Sequence, residues 1–195
     1  MNEIKRNNSI ISAIETDKRS VFRLSDVAML VNEFDFDSIN YRLNYAVRTG
    51  KLLNPRKGIY TKPEYKFEEL ACLLYTPVYI SFQSVLYRSG VIARHDGTVT
   101  LAGYLSRNIN IDDKNIRITK LKGEILVSTY GVAIKNNINI ATPERAFLDT
   151  LYIDSNAHFD NLSGLNKKKI CEMLPLYGSK TIAKRAKQLL KDGEQ

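Results

Sequence analysis

Five side chains between Asn40 and Arg48 could act together as hydrogen-bonding groups. Asn40, Tyr41, Asn44, Tyr45 and Arg48 fall one, three and four residues apart, so on a helix they share one face. A carboxamide carries both donors and an acceptor, which suits the edge of adenine, and a phenol can meet a base edge or a phosphate. Ser38, Arg42, Arg48, Lys51, Arg56 and Lys57 supply donors and positive charge suited to phosphate oxygens. From Asp37 to Lys62 there are six basic residues and one acid. A solvated helix face would carry similar charges for solubility alone. The elements that hold these residues decide between the two readings.

Ile39, Leu43, Ala46 and Val47 form the opposite, apolar face, so the spacing predicts a helix with Asp37 or Ser38 as its N-cap. Gly50 suits the left-handed position that ends a helix. Leu52-Leu53 and Ile59-Tyr60-Thr61 then read as strands around an Asn54–Gly58 turn, with Arg56 and Lys57 at its tip. Upstream, Ile10, Ile11 and Ile14 predict a helix over 3–16, Val21-Phe22-Arg23 a short strand, and Ser25 the cap of a second helix to Val31. Helix, strand, helix, turn, helix and hairpin is the layout of a winged helix-turn-helix, in which the second helix of the pair enters the major groove. The expected module covers residues 1–62, and Lys62-Pro63 is the expected boundary.

Residues 63–195 read as a mixed α/β domain, giving an α+β chain of two domains. Helices are expected at Phe67–Tyr75, Phe82–Arg88 with Ser81 as cap, 166–174 and 179–191. Val78-Tyr79-Ile80, Thr98–Leu105, Asn115–Leu121, Glu124–Tyr130 and Asn136–Ile140 read as β-rich runs. Thr142-Pro143-Glu144 opens a helix with a cap, a proline at the first position and an acid against the dipole. Arg145 and Asp149, four apart within it, can pair. In the last helix Lys180, Lys184, Lys187 and Lys191 make one basic stripe, a possible surface for an anionic partner or simply a solvated face.

The net charge is +8, distributed as +4 over residues 1–62, −1 over 63–162 and +5 over 163–195. That balance favours nucleic acid or another acidic partner. No stretch approaches the ~20 apolar residues needed to span a membrane. MNEIKRNNSI lacks an apolar signal core, and two cysteines make no disulfide framework, so a cytoplasmic chain with small buried thiols is expected. Phosphate-binding glycine loops, zinc-binding helix motifs and nucleophile elbows are missing from the sequence. His95 and His158 have no ligand-spaced neighbours, and Glu68-Glu69 and Asp112-Asp113 read as solvated. No catalytic residue, metal or cofactor is expected.

The wing GIYTK after a basic helix, YISFQSVLYRSGVI (79–92) and IATPERAFLDTLYI (140–153) resemble the AbiEi antitoxins of type IV abortive-infection toxin–antitoxin systems. The resemblance covers nearly the whole chain. It implies an N-terminal winged helix-turn-helix that binds repeats in its own promoter and represses it. It also implies a C-terminal antitoxin domain that counters a nucleotidyltransferase-like toxin without a stable complex, in phage defence. A regulator without antitoxin activity is the alternative. A nuclease in the second domain is a third reading, which the lack of clustered acids argues against.

Overall fold

A computed structural model describes residues 10–192. The helix expected over 3–16 is present for 10–16 (α1), and 3–9 lie outside the described residues. The chain divides into two compact units, Met1–Leu73 and Leu74–Gln195. The first holds α1, β1 (Val21–Arg23), α2 (Leu24–Val31), α3 (Phe36–Arg48), β2 (Leu53–Arg56) and β3 (Ile59–Thr61), and α4 (Phe67–Leu74) ends it. β3 lies between β1 and β2 and is antiparallel to both, with Phe22 opposite Tyr60 and Arg56 opposite Ile59. Gly58 turns the hairpin at φ +77°, a conformation that side-chain-bearing residues rarely adopt.

The apolar spacing accounts for the core. Ile10 and Ile14 of α1, Val27 and Ala28 of α2, and Ile39, Leu43 and Ala46 of α3 close on Phe22, Leu52 and Tyr60. Burying a side chain of the Ile or Leu class contributes about 1.5–3 kcal/mol, so this cluster offsets much of the ordering cost of three short helices.

Local capping differs from the sequence reading. α3 starts at Phe36, because Asp35 accepts a hydrogen bond from the Ser38 amide at 3.1 Å. Asp37 is therefore a first-turn acid, not the cap. α2 starts at Leu24, with the Arg23 amide donating to Asp26 Oδ2 at 2.7 Å, so Ser25 is no cap either. Glu69 is buried, not solvated: its carboxylate accepts from the Ser20 hydroxyl at 2.6 Å and the Ser20 amide at 3.0 Å. The Arg23 guanidinium also donates to the Leu73 carbonyl. These bonds tie α4 to the first unit, so the division falls at Leu73–Leu74, later than Lys62–Pro63.

The second unit carries a six-stranded mixed sheet in the order β6-β7-β5-β4-β9-β8. Its strands are β4 (Val78–Ile80), β5 (Val99–Gly103), β6 (Arg107–Ile111), β7 (Lys114–Lys120), β8 (Val132–Lys135) and β9 (Ile138–Ala141). The helices are α5 (Gln83–Arg88), α6 (Gly123–Val127), α7 (Pro143–Ile153), α8 (Lys167–Tyr177) and α9 (Lys180–Asp192). Glu124–Val127 is thus helical where the sequence suggests a β-rich run, and β6 and β8 have no counterpart among the expected strands. Every residue of α7 from Glu144 to Leu151 is buried, because the sheet, α5, α8 and α9 surround it. Thr142 Oγ1 caps α7 by accepting from the Arg145 amide at 3.3 Å. Glu144 instead reaches across to accept from the Asn166 amide at 3.2 Å. Ser81 does not cap α5, whose N-cap is Phe82. Among the described residues no helix is long and apolar enough to cross a membrane.

Candidate nucleic-acid interface

α3 separates its two faces as the spacing requires. Ile39, Leu43 and Ala46 are buried, while Asn40, Tyr41, Asn44, Tyr45 and Arg48 are exposed. Tyr41 is 60% exposed and Tyr45 45%, high values for aromatic side chains. The Arg48 guanidinium stands 5.9 Å over the Tyr45 ring, an arrangement that keeps the two side chains together.

The hairpin beside α3 supplies a residue that the sequence reading missed. Tyr60 is buried in the core, yet its hydroxyl donates to Asn40 Oδ1 at 2.7 Å and lies 3.5 Å from Asn44 Oδ1. Burial raises the pKa of this phenol, so it stays protonated and a donor at neutral pH. The bond leaves the Nδ2 donors of Asn40 uncommitted among the described residues. Alternation in Ile59-Tyr60-Thr61 predicts a strand but does not show that the ring reaches the helix.

The hairpin itself is held by Asn54, whose Nδ2 donates to the carbonyls of Arg56 at 3.0 Å and Ile59 at 2.7 Å. That fixes the turn carrying the exposed Arg56 and Lys57. Lys51 is exposed after Gly50, and Ser38 is half-buried in the first turn of α3. Arg42 does not join this surface. It is 7% exposed, paired with Glu33, and donates from Nε to the Ser38 carbonyl at 3.3 Å. Its guanidinium ties α3 to the end of α2 and is not presented to a phosphate.

In the second unit the basic stripe of α9 faces solvent. Lys180, Lys184, Lys187 and Lys191 are exposed, while Ile182, Ala186 and Leu190 are buried. None of the four lysines forms an ion pair among the described residues.

The Arg145–Asp149 pair lies at full depth, with both side chains 0% exposed. Arg145 Nε donates to Asp149 Oδ1 at 3.1 Å, and its other nitrogens donate to Tyr79 Oη and to the carbonyls of Ile125 and Tyr130. Asp149 also accepts from the hydroxyls of Tyr79 (2.9 Å), Ser81 (2.7 Å) and Tyr177 (2.7 Å). Burial and the Asp149 charge raise the pKa values of both phenols, so both remain donors. Every polar atom of the pair is occupied and none faces solvent, which is the arrangement of a structural clamp.

The cysteines differ from expectation. Cys171 is exposed, and Cys72 is half-buried with its thiol pushed up to about 12 by burial and then by Glu69, which makes it a poor nucleophile. His95 stacks on Tyr87 at 5.4 Å and accepts from the Gly97 amide, while His158 lies at the surface 3.7 Å from Asp160. No protein-family model matches this chain, and no curated protein matches it.

Proposed function

We propose that the first unit is a winged helix-turn-helix and that the chain is a double-stranded DNA-binding repressor. One observation carries the reading. The exposed Asn, Tyr and Arg face of α3 stands beside an antiparallel hairpin whose rigid turn presents Arg56 and Lys57. α3 would lie in the major groove with α2 across the backbone, and the hairpin would follow the phosphates. Asn40, Tyr41, Asn44 and Tyr45 are the base-edge residues, and Ser38, Arg48, Lys51, Arg56 and Lys57 the phosphate-binding ones.

The antitoxin role falls to the second unit. It is supported by the two runs that carry the AbiEi resemblance, which form β4 with α5 and β9 with α7 and include Tyr79, Ser81, Arg145 and Asp149 of the buried clamp. Co-expression of the full chain with a neighbouring nucleotidyltransferase-like gene tests it: growth should be rescued, and a chain that only shifts promoter DNA is a regulator alone.

Substituting Arg56→Ala with Lys57→Ala should weaken binding to all DNA sequences alike. The slope of log affinity against log salt should fall by about 0.9 for each phosphate that the variant no longer neutralises. An unchanged slope in a salt titration would show that the hairpin does not touch DNA.

Tyr60→Phe should act differently. With one of its two acceptor lone pairs taken by the phenol, Asn40 presents its donors more freely, which favours an acceptor edge such as guanine O6/N7 over the mixed edge of adenine. Removing the hydroxyl frees that lone pair. Preference at one operator position should move toward adenine by about threefold to tenfold, with the salt slope unchanged. Identical selected sites for the variant and the parent would remove Tyr60 from this role.

A further inference from the structure

The helices do not cover the whole sheet. Thr100 of β5 faces α5, since its hydroxyl accepts from the Ser84 amide at 3.0 Å. Register places Arg117 beside Thr100 and Thr119 beside Ala102. Beside them a cleft of about 810 Å³ is lined by Arg117 and Thr119 of β7 and by Phe82, Leu86 and Phe159. Its volume lies in the range of small-molecule sites.

Three features make this a built site. The wall is fixed before any ligand arrives: Asp160 accepts from the Ala93 amide at 2.7 Å and donates its own amide to the Val91 carbonyl at 2.9 Å. Phe159 is locked against Phe147, ring centroids 4.8 Å apart. Phe82 holds a backbone conformation of φ +56° and ψ −137°, which is strained for a residue with a side chain, and so places its ring at the cleft. The charges are unequally committed. Asp154 and Asp160 both accept backbone amide hydrogen bonds from the surrounding loops. Arg94 and Arg117 both line the cleft and form no hydrogen bond or close ion pair among the described residues, although the Arg117 charge is felt by the Asp96 carboxylate.

We propose that this cleft binds a small organic anion with a flat apolar body, its carboxylate, sulfonate or phosphate met by Arg94 and Arg117. The body lies against Phe82, Leu86 and Phe159, where apolar area is removed from water. The anion meets Arg94 and Arg117, since a fork-shaped guanidinium forms paired, charge-assisted hydrogen bonds. This inference concerns the second unit alone and does not rest on DNA binding.

Two fluorescent probes with the same body test it on the full chain. One is 8-anilinonaphthalene-1-sulfonate and the other N-phenyl-1-naphthylamine, which lacks the sulfonate. The anionic probe should bind about tenfold or more tightly than the neutral one, the effect of one charge-assisted hydrogen bond. Arg94→Gln with Arg117→Gln should erase that difference and leave the neutral probe's affinity unchanged; both residues are exposed, so folding is not at stake. Ala157→Trp, which fills the cleft from its lining, should abolish binding of both probes. Lys135→Gln on exposed β8 is the control and should change nothing. Equal affinity for the two probes in the parent chain would overturn the proposal. So would a preference that survives the double substitution, or one that Lys135→Gln removes equally.

Discussion

Arg145→Ala is expected to destabilise the second unit by about 3–5 kcal/mol, the cost of leaving one member of a buried ion pair unpaired. The substitution leaves Asp149 ionised at 0% exposure and removes the donors that serve the Ile125 and Tyr130 carbonyls. It also opens a cavity, since Arg145 is the largest fully buried side chain. The destabilisation should depend on pH. Burial pushes the Asp149 carboxyl up, and the Arg145 charge is the strongest influence holding it down. Without Arg145 the carboxyl rises further above its value in the unfolded chain. A group raised on folding favours the fold below its unfolded pKa and loses that contribution as pH increases. The deficit should therefore be largest near neutral pH and narrow toward about pH 4, the unfolded carboxyl range. Urea denaturation of parent and variant, followed by tyrosine signals because the chain has 11 tyrosines and no tryptophan, gives both numbers. A deficit under about 1 kcal/mol at neutral pH would show that water reaches Asp149 and that the clamp is not sealed.

The same pair shows what the sequence discloses and what it withholds. Spacing of four on an opening helix is enough to pair Arg145 with Asp149. Depth is not, because Tyr79, Ser81 and Tyr177, which complete the clamp, are 70, 68 and 28 residues from Asp149 in the chain. Arg42 departs from expectation for the same reason. Its position on the flank of α3 suits a phosphate, and only the fold brings Glu33 of the preceding turn against it. The α3 periodicity is legible because four apolar positions at helical spacing admit one phase. Its start is not, since Asp35, Asp37 and Ser38 are all competent caps, and only the fold shows Asp35 taking the Ser38 amide. Short apolar runs are the weakest signal. Gly123–Val127 carries three β-favouring or neutral apolar residues, yet forms one helical turn. β6, Arg-Asn-Ile-Asn-Ile, is an edge strand whose polar outward positions hide its alternation. The cleft lined by Arg117 is invisible for a further reason: its lining comes from segments as far apart as Phe82, Arg117 and Phe159, and no local pattern encodes that.

If the second unit is the antitoxin we propose, reversing Lys180, Lys184 and Lys187 of α9 to glutamate is expected to abolish growth rescue by the chain in co-expression with a neighbouring nucleotidyltransferase-like gene. The stripe is exposed along its length, and its charges have no ion-pair partner among the described residues, so it is available to an anionic surface. The core-facing Ile182, Ala186 and Leu190 are untouched, so circular dichroism should match the parent. Like charges juxtaposed across an interface cost several kcal/mol, enough to abolish a functional encounter of ordinary affinity. The reversal also takes the net charge from +8 to +2, each of three changes removing two units. Association with any DNA therefore slows, and a bare gel-shift affinity would mislead. The informative quantity is the ratio of operator to random-sequence binding at fixed salt, which on the proposed reading is set by α3 and should stay within about twofold of the parent. Full rescue by the reversed chain would make the stripe a solvated face. Failure of rescue together with a collapse of the operator ratio would show that α9 serves DNA binding and not the proposed antitoxin role.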